Sequence, residues 1–294
     1  MVLVLAPFFW GGNSVAGKLA SLDWEPFTAT SLRWLMASLL LLPFALKFIR
    51  NDYSALKGSA LTLFALGASM SMFSLLMYSA LNYTSAINVS IEQAAMPAMI
   101  MLANIMVFSQ RVTVLQISGL LCCVLGVLIT TTNGAPHLFF EQGLNRGDAI
   151  MMLACVFYAA YTFGLRWRPP IHWLSFLWAI CTSAFIVTIP FALWESQHSV
   201  NQLSLATLTD PGLRGWTVMV YIILFPTIVG QLCYARGVDL IGGNRAGIFI
   251  NLVPIFGSLL AVLILRETFQ IYHAIGLVMV VGGISFAERH TSRH

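Results

Sequence analysis

About ten apolar runs, each roughly 18 to 24 residues long, follow one another through the chain, and no other feature constrains its fold so tightly. A helix of that length spans the hydrocarbon core of a bilayer. The spans are expected at residues 2–20, 27–48, 59–80, 84–108, 112–131, 147–166, 172–194, 215–236, 243–265 and 270–287. Breaks such as DWEPF, RNDYSALKG, TTNGAPHLFFEQGLNRGD and ESQHSVNQLSLATLTDPG are polar and turn-rich, or place acids and a proline at a helix start. Of 294 residues, 59% are apolar and 9% charged, against roughly 25% charged in soluble domains. So few charges cannot clothe a water-soluble surface. The expected fold class is an all-α integral membrane protein with about ten transmembrane helices.

The net charge is +4, and the fifteen Lys and Arg are scattered, with no basic arm for nucleic acid. Cys122, Cys123, Cys155, Cys181 and Cys233 all lie within apolar runs, as small packing residues rather than a disulfide framework or metal site. The six histidines form no paired motif, so neither a metal nor a cofactor is expected. The opening MVLVLAPFFWGGNSVAGKLA could pass for a signal peptide. It lacks a basic leader, and Asn13, Ser14 and Lys18 replace a clean cleavage site; it reads as a first spanning helix. With the N-terminus in the cytoplasm, ten of the Lys and Arg fall on the cytoplasmic side, from Lys47, Arg50 and Lys57 to Arg289 and Arg293. Lys18, Arg146, Arg214 and Arg266 fall on the other, and Arg33 lies inside the second span. That bias places both termini in the cytoplasm of a multi-pass inner-membrane protein.

The chain also repeats itself. The stretch ALNYTSAINVSIEQAAMPAMIML aligns without a gap on GVDLIGGNRAGIFINLVPIFGSL, bringing Pro97 onto Pro254 at an offset of 157 residues (254 − 97). The same offset carries Gly119 to Gly276 and Gly126 to Gly283. Earlier, FFWGGNSVAGK resembles VFYAAYTFGLR. The expected organisation is a first five-helix repeat at 1–131, a linker loop at 132–146, a second repeat at 147–287 and a cytoplasmic tail at 288–294. Because five is odd, the second repeat enters the membrane from the opposite side. Inverted repeats belong to secondary transporters, whose substrate site lies near the midplane between the halves.

These stretches carry a resemblance. FFWGGNSVAGK closing the first helix, SLRWLMASLLLLP in the second, the paired MPAMIMLANIMVFSQR and VPIFGSLLAVLILRET, and the Gly-rich fifth and tenth helices resemble the drug/metabolite transporter superfamily in its ten-helix EamA-type form. The likeness covers essentially the whole chain. It extends to the YddG-like amino-acid exporters, which implies outward movement of aromatic and other neutral amino acids. One departure stands out: SQR in the first repeat, with Gln110, faces RET in the second, with Glu267.

Several polar and aromatic residues are candidates for a pathway. Glu92, in NVSIEQAAMPAMIML, lies about 12 Å along the fourth helix from Thr84 at roughly 1.5 Å per residue. Such a charge faces protein or a wet cavity, not lipid. Two readings are open: a cavity acid that takes a proton or a substrate amine, or a structural ion pair with Arg33. Arg33 in turn either anchors its helix or binds a carboxylate. Trp10 and Asn13 share a face of the first helix, and Tyr158 and Tyr161 one of the sixth; Ser71, Ser74 and Tyr78 form a stripe on the third, and Thr227, Gln231 and Tyr234 on the eighth. These stripes are either packing or a cavity wall of aromatic faces. Pro97 and Pro254 each free the carbonyl four residues back, on Gln93 and Ile250, as kinks or hinges; Asn251 could bond a substrate or that carbonyl. Gly119, Gly126, Gly276 and Gly283 are expected at close helix contacts. No pair of mid-membrane carboxylates is visible.

The functional expectation is a monomeric secondary transporter, not an enzyme, that exports amino acids and related small metabolites by alternating access, facilitated or proton-linked. Its partners are the small-molecule substrate and membrane lipid. Rival readings are a carrier of nucleotide sugars or phosphorylated metabolites, which calls for more cations than Arg33, a channel, and a membrane-embedded enzyme, for which no catalytic cluster is visible.

Overall fold

The computed structural model describes residues 2–108, 113–135, 137, 145–198, 211–241 and 249–288. Among them the chain forms ten long helical segments and the short helix Tyr53–Gly58. They are α1 (Val2–Ala20), α2 (Pro26–Asn51), α3 (Ala60–Ala80), α4 (Ala86–Glu92, a 3-10 turn Gln93–Ala95, then Met96–Phe108) and α5 (Val114–Thr131). The second five are α6 (Arg146–Gly164), α7 (Trp173–His198), α8 (Gly212–Ile222, a π-helical segment Ile223–Val229, then Gly230–Ile241), α9 (a 3-10 turn Phe249–Leu252, Val253–Leu260, then a π-helical segment Ala261–Leu265) and α10 (Ile271–Glu288). Helices α2 to α8 contain stretches long and apolar enough to cross a bilayer; Phe249–Leu265 and Ile271–Gly283 are shorter apolar helices. Gln110 and the tail beyond Glu288 lie outside the described residues, as do Arg111, Arg245 and most of the linker.

The side chains are sorted as lipid demands. Phe44, Leu61, Met106, Ile271 and Val278 are more than 70% exposed, an arrangement that marks aggregation in water and ordinary contact with acyl chains in a membrane. The buried set mixes Trp34, Met77 and Ile91 with Asn13, Arg33, Asn88, Glu92 and Asp148. Polar groups are thus gathered inside, where partners can satisfy them.

Prolines set the breaks. Pro97 cannot donate to the Gln93 carbonyl, and the Met96 amide, one residue earlier, takes that carbonyl instead, tightening the chain into the 3-10 turn. Pro254 is the second residue of the α-helical part that follows the 3-10 turn of α9. Pro226 lies within the π-helical segment of α8 and has no amide to give the Ile222 carbonyl; the Thr227 hydroxyl donates to that carbonyl at 2.8 Å.

Helix pairing follows a two-fold pattern. Helix α1 packs on α8 and α9, and α6 packs on α3 and α4. Exchanging the first five helices for the last five converts one set into the other, while α2–α7, α4–α9 and α5–α10 map onto themselves. Ends confirm opposite directions. The Glu195 carboxylate near the end of α7 accepts the amides of Phe27 (3.0 Å) and Thr28 (2.7 Å) at the start of α2. Reciprocally, Asp52, just past α2, accepts the His172 amide at 3.0 Å beside the start of α7. Glu267, just past α9, likewise accepts the amides of Ala86 and Ile87 opening α4, at 2.9 and 3.0 Å. Free amides and the helix dipole make each of these N-termini a good seat for a carboxylate.

Contact between α5 and α10 depends on glycine. A Cβ on Gly283 would sit 2.5 Å from the Gly119 carbonyl oxygen, and one on Gly126 or Gly276 would lie 2.9 Å from the other's carbonyl oxygen. The four glycines therefore stand at the closest approach of the two helices.

Candidate functional site

Both sets of five helices contribute to a cavity of about 460 Å³, within the roughly 300–1,000 Å³ typical of small-molecule sites. Its wall is largely aromatic. Trp10 and Tyr234 approach at 5.4 Å between ring centroids, Phe73 and Tyr158 at 5.0 Å, and Tyr158 and Tyr161 at 6.1 Å. Amide side chains from Asn13, Gln93, Gln116, Gln231 and Asn251 interrupt it. Broken helices supply much of the lining: Gln93 to Pro97 on α4, Pro226 and Thr227 on α8, and Ile250 to Pro254 on α9. Irregular backbone at membrane depth is tolerated in such a place, beside a cavity.

Arg33 is the single charged residue among the described lining residues. It is 3% exposed. Its Nε donates to Thr227 Oγ1 at 2.8 Å and its Nη1 to the Tyr78 hydroxyl at 2.6 Å. Tyr78 passes the bond on, donating to Asn13 Oδ1 at 2.9 Å. The guanidinium also lies 4.9 Å from the centroid of the Trp34 ring and 5.6 Å from that of Tyr78, both close enough for cation–π attraction. Neutral oxygens and ring faces thus hold the cation, and among the described residues no carboxylate pairs with it. Pro226 organises this from behind: it withholds its amide from the Ile222 carbonyl, to which the Thr227 hydroxyl donates, and its own carbonyl accepts Trp10 Nε1 at 3.0 Å.

The model of the EamA-like transporter family matches residues 1–132 and 145–288. The chain belongs to the EamA-like transporter family. The first matched stretch holds α1–α5 and the second α6–α10. Among similar proteins, the uncharacterized transporter YetK of Bacillus subtilis is 26% identical over 283 residues, covering 93% of this chain and 82% of that one. The uncharacterized transporter YyaM of the same organism is 21% identical, covering 95% and 90%. A solved crystal structure shares the fold at a TM-score of 0.62 and 14% identity, covering 99% of this chain and 96% of the other. This EamA-like protein is therefore a multi-pass membrane transporter.

Of the candidates read from the sequence, Trp10, Asn13, Arg33, Pro97, Tyr158, Tyr161, Gln231, Tyr234, Asn251 and Pro254 line the cavity. Tyr78 does not; it stands behind the wall, between Arg33 and Asn13. Glu92 lies outside the cavity too, fully buried. The expected Glu92–Arg33 pair is absent, because Arg33 turns to Thr227 and Tyr78. Glu92 instead meets a second carboxyl, Asp148, which lies within hydrogen-bonding reach of it. The pair of buried carboxylates that the sequence conceals is thus formed between α4 and α6. Lys18, at the end of α1, is held by the carbonyls of Leu81 and Thr84. The sequence reading did not single out Asp148, in the first turn of α6, or Pro226, whose signal was a proline inside an apolar run. Gln93 was legible only as the residue four before Pro97; its amide donates to Ser14 Oγ at 2.9 Å.

Proposed function

We propose that this transporter exports neutral amino acids, aromatic ones above all, across the cell inner membrane by alternating access. The observation that carries the reading is Arg33: a buried cation, without a carboxylate partner among the described residues, at the wall of an aromatic cavity between the two sets of helices. A lone buried charge is costly unless an opposite charge comes to it. A substrate carboxylate would supply that charge, and the rings of Trp10, Tyr158, Tyr161 and Tyr234 would take an aromatic side chain or, by their faces, the ammonium. One cation suits one carboxylate better than a diphosphate, which speaks against nucleotide sugars. The exchange symmetry of helix contacts supports two access states related by swapping the roles of the halves. Outward flow suits a solute that accumulates inside, with both termini in the cytoplasm.

The test is uptake into proteoliposomes of labelled phenylalanine, threonine and methionine, with phenylalaninamide as competitor. Saturable flux that free phenylalanine competes and phenylalaninamide does not is the expected result. Flux of all three amino acids equal to that of empty liposomes would sink the proposal.

A further inference from the structure

A group outside the cavity has no role yet. Glu92 is wholly buried, and its two oxygens receive no hydrogen bond from any donor among the described residues. What they face is Asp148, 1% exposed, within hydrogen-bonding reach. Neither carboxyl can donate to the other unless one of them carries a proton. Two like charges in contact, with no cation between them, cannot both persist in a dry interior.

Among the described residues, no cation pairs with either carboxyl. On α6, the Cys155 thiol donates to the Glu92 backbone carbonyl at 3.6 Å. From α10 come Tyr272 and His273, and the ring nitrogen His273 Nδ1 accepts the Gln270 amide at 3.0 Å. The proton therefore sits on Nε2, which donates to Asn88 Oδ1 at 3.1 Å. Lys18 from α1 is committed to the carbonyls of Leu81 and Thr84. Arg146 lies over the Tyr83 ring at 4.6 Å, and Glu267 beyond α9 is committed to the amides of Ala86 and Ile87. Arg266, its neighbour, shares a basin with it and forms no ion pair to either carboxyl.

The pair lies between two spaces. On one side, Thr84, Asn88 and His273 line that basin, of about 610 Å³, at the end where α1 stops. Asn88 donates to Thr84 Oγ1 at 3.3 Å, and the Thr84 hydroxyl donates to Asp148 Oδ1, so one hydroxyl separates the basin from the pair. On the other side, the residue after Glu92 is Gln93, which lines the substrate cavity. Gly147 makes the approach fit: a Cβ there would lie 2.8 Å from both the Thr84 amide nitrogen and its Cβ. Packing does not demand an acid, because the repeat offset of 157 puts Phe249 at the position equivalent to Glu92 (92 + 157).

We propose that Glu92 and Asp148 form a proton-binding site joining the two halves, and that its occupancy is coupled to the change of access. With one proton shared, the pair holds α4 against α6; on its release to the basin the pair passes from one negative charge to two and the helices repel. Since α4 also carries Gln93 and Pro97 in the cavity wall, the proton and the substrate bias the same element, as coupling requires. The coupling rests on the transport reading above, whereas the proton site does not.

The experiment therefore has two readouts on the full-length protein. Infrared difference spectra between acid and alkaline pH in detergent detect a protonated carboxyl by its carbonyl stretch and its shift in D2O. The expected band is present in the wild type and lost in both Glu92→Gln and Asp148→Asn, each first shown to be monodisperse. No band, or a band unchanged by both substitutions, overturns the site. In proteoliposomes, a pH gradient is expected to drive phenylalanine accumulation in the wild type, and Glu92→Gln to reduce it to the level of downhill exchange. Accumulation driven by sodium, or by neither gradient, overturns the coupling. A band without phenylalanine flux upholds the site and rejects the proposed substrate.

Discussion

Replacing Arg33 by Gln separates a binding role from a structural one. The side chain makes two hydrogen bonds, to Thr227 and Tyr78, and truncation removes both. Neither partner is stranded as a donor, since Thr227 still donates to the Ile222 carbonyl and Tyr78 to Asn13. Each of these bonds involves a charged group and contributes about 1.5–3 kcal/mol, while removing an unpaired buried cation relieves its desolvation penalty of several kcal/mol. The two effects oppose, so the unfolding temperature in detergent should move little. Affinity should not be spared. A hydrogen bond to a charged group contributes about 1.5–3 kcal/mol, which at ~1.4 kcal/mol per decade is about a 10- to 150-fold rise in the KM for phenylalanine. The decisive comparison is with phenylalaninamide, which lacks the carboxylate: it should fail to compete in wild type and variant alike. A variant that unfolds at a much lower temperature while keeping its KM would refute the argument and make Arg33 a helix anchor.

Three further outcomes follow from packing and capping. Gly283→Ala places a Cβ 2.5 Å from the Gly119 carbonyl and should cost about 1–3 kcal/mol, seen as a lower unfolding temperature in detergent. The neighbouring Gly282→Ala meets nothing within 4 Å and should be neutral or stabilising by up to about 1 kcal/mol through helix propensity; equal losses at the two positions would disprove the close α5–α10 contact. Glu195→Ala strips the Phe27 and Thr28 amides of their acceptor and should destabilise by about 1–3 kcal/mol, whereas a thermal unfolding curve matching wild type would mean those amides find other partners. Gly11→Ala brings a Cβ 2.6 Å from the Gly257 amide nitrogen, forcing α1 from α9 beside the cavity; flux in proteoliposomes should fall with a much smaller change at Gly58→Ala, which meets nothing within 4 Å.

The sequence by itself determined the solvent, the number of helices and the family. Those follow from run length, from charge scarcity and from residues a fixed offset apart, and all are local or periodic signals. It also determined which residues share a helix face, and for that reason Trp10 with Asn13, Tyr158 with Tyr161, and Gln231 with Tyr234 are found on the cavity wall. Only the tertiary structure decided which face meets which. The sequence puts Arg33 inside the second span, but does not say that Thr227 of α8, its hydroxyl held by the Ile222 carbonyl beside Pro226, accepts from it. Nor does anything near Glu92 announce Asp148, 56 residues on (148 − 92) and in the other half. The two meet because Gly147 lets the start of α6 lie against Thr84, a fit set by the shapes of two helices at once. A charge in a membrane protein is interpretable only with its partner, and the partner is a property of packing.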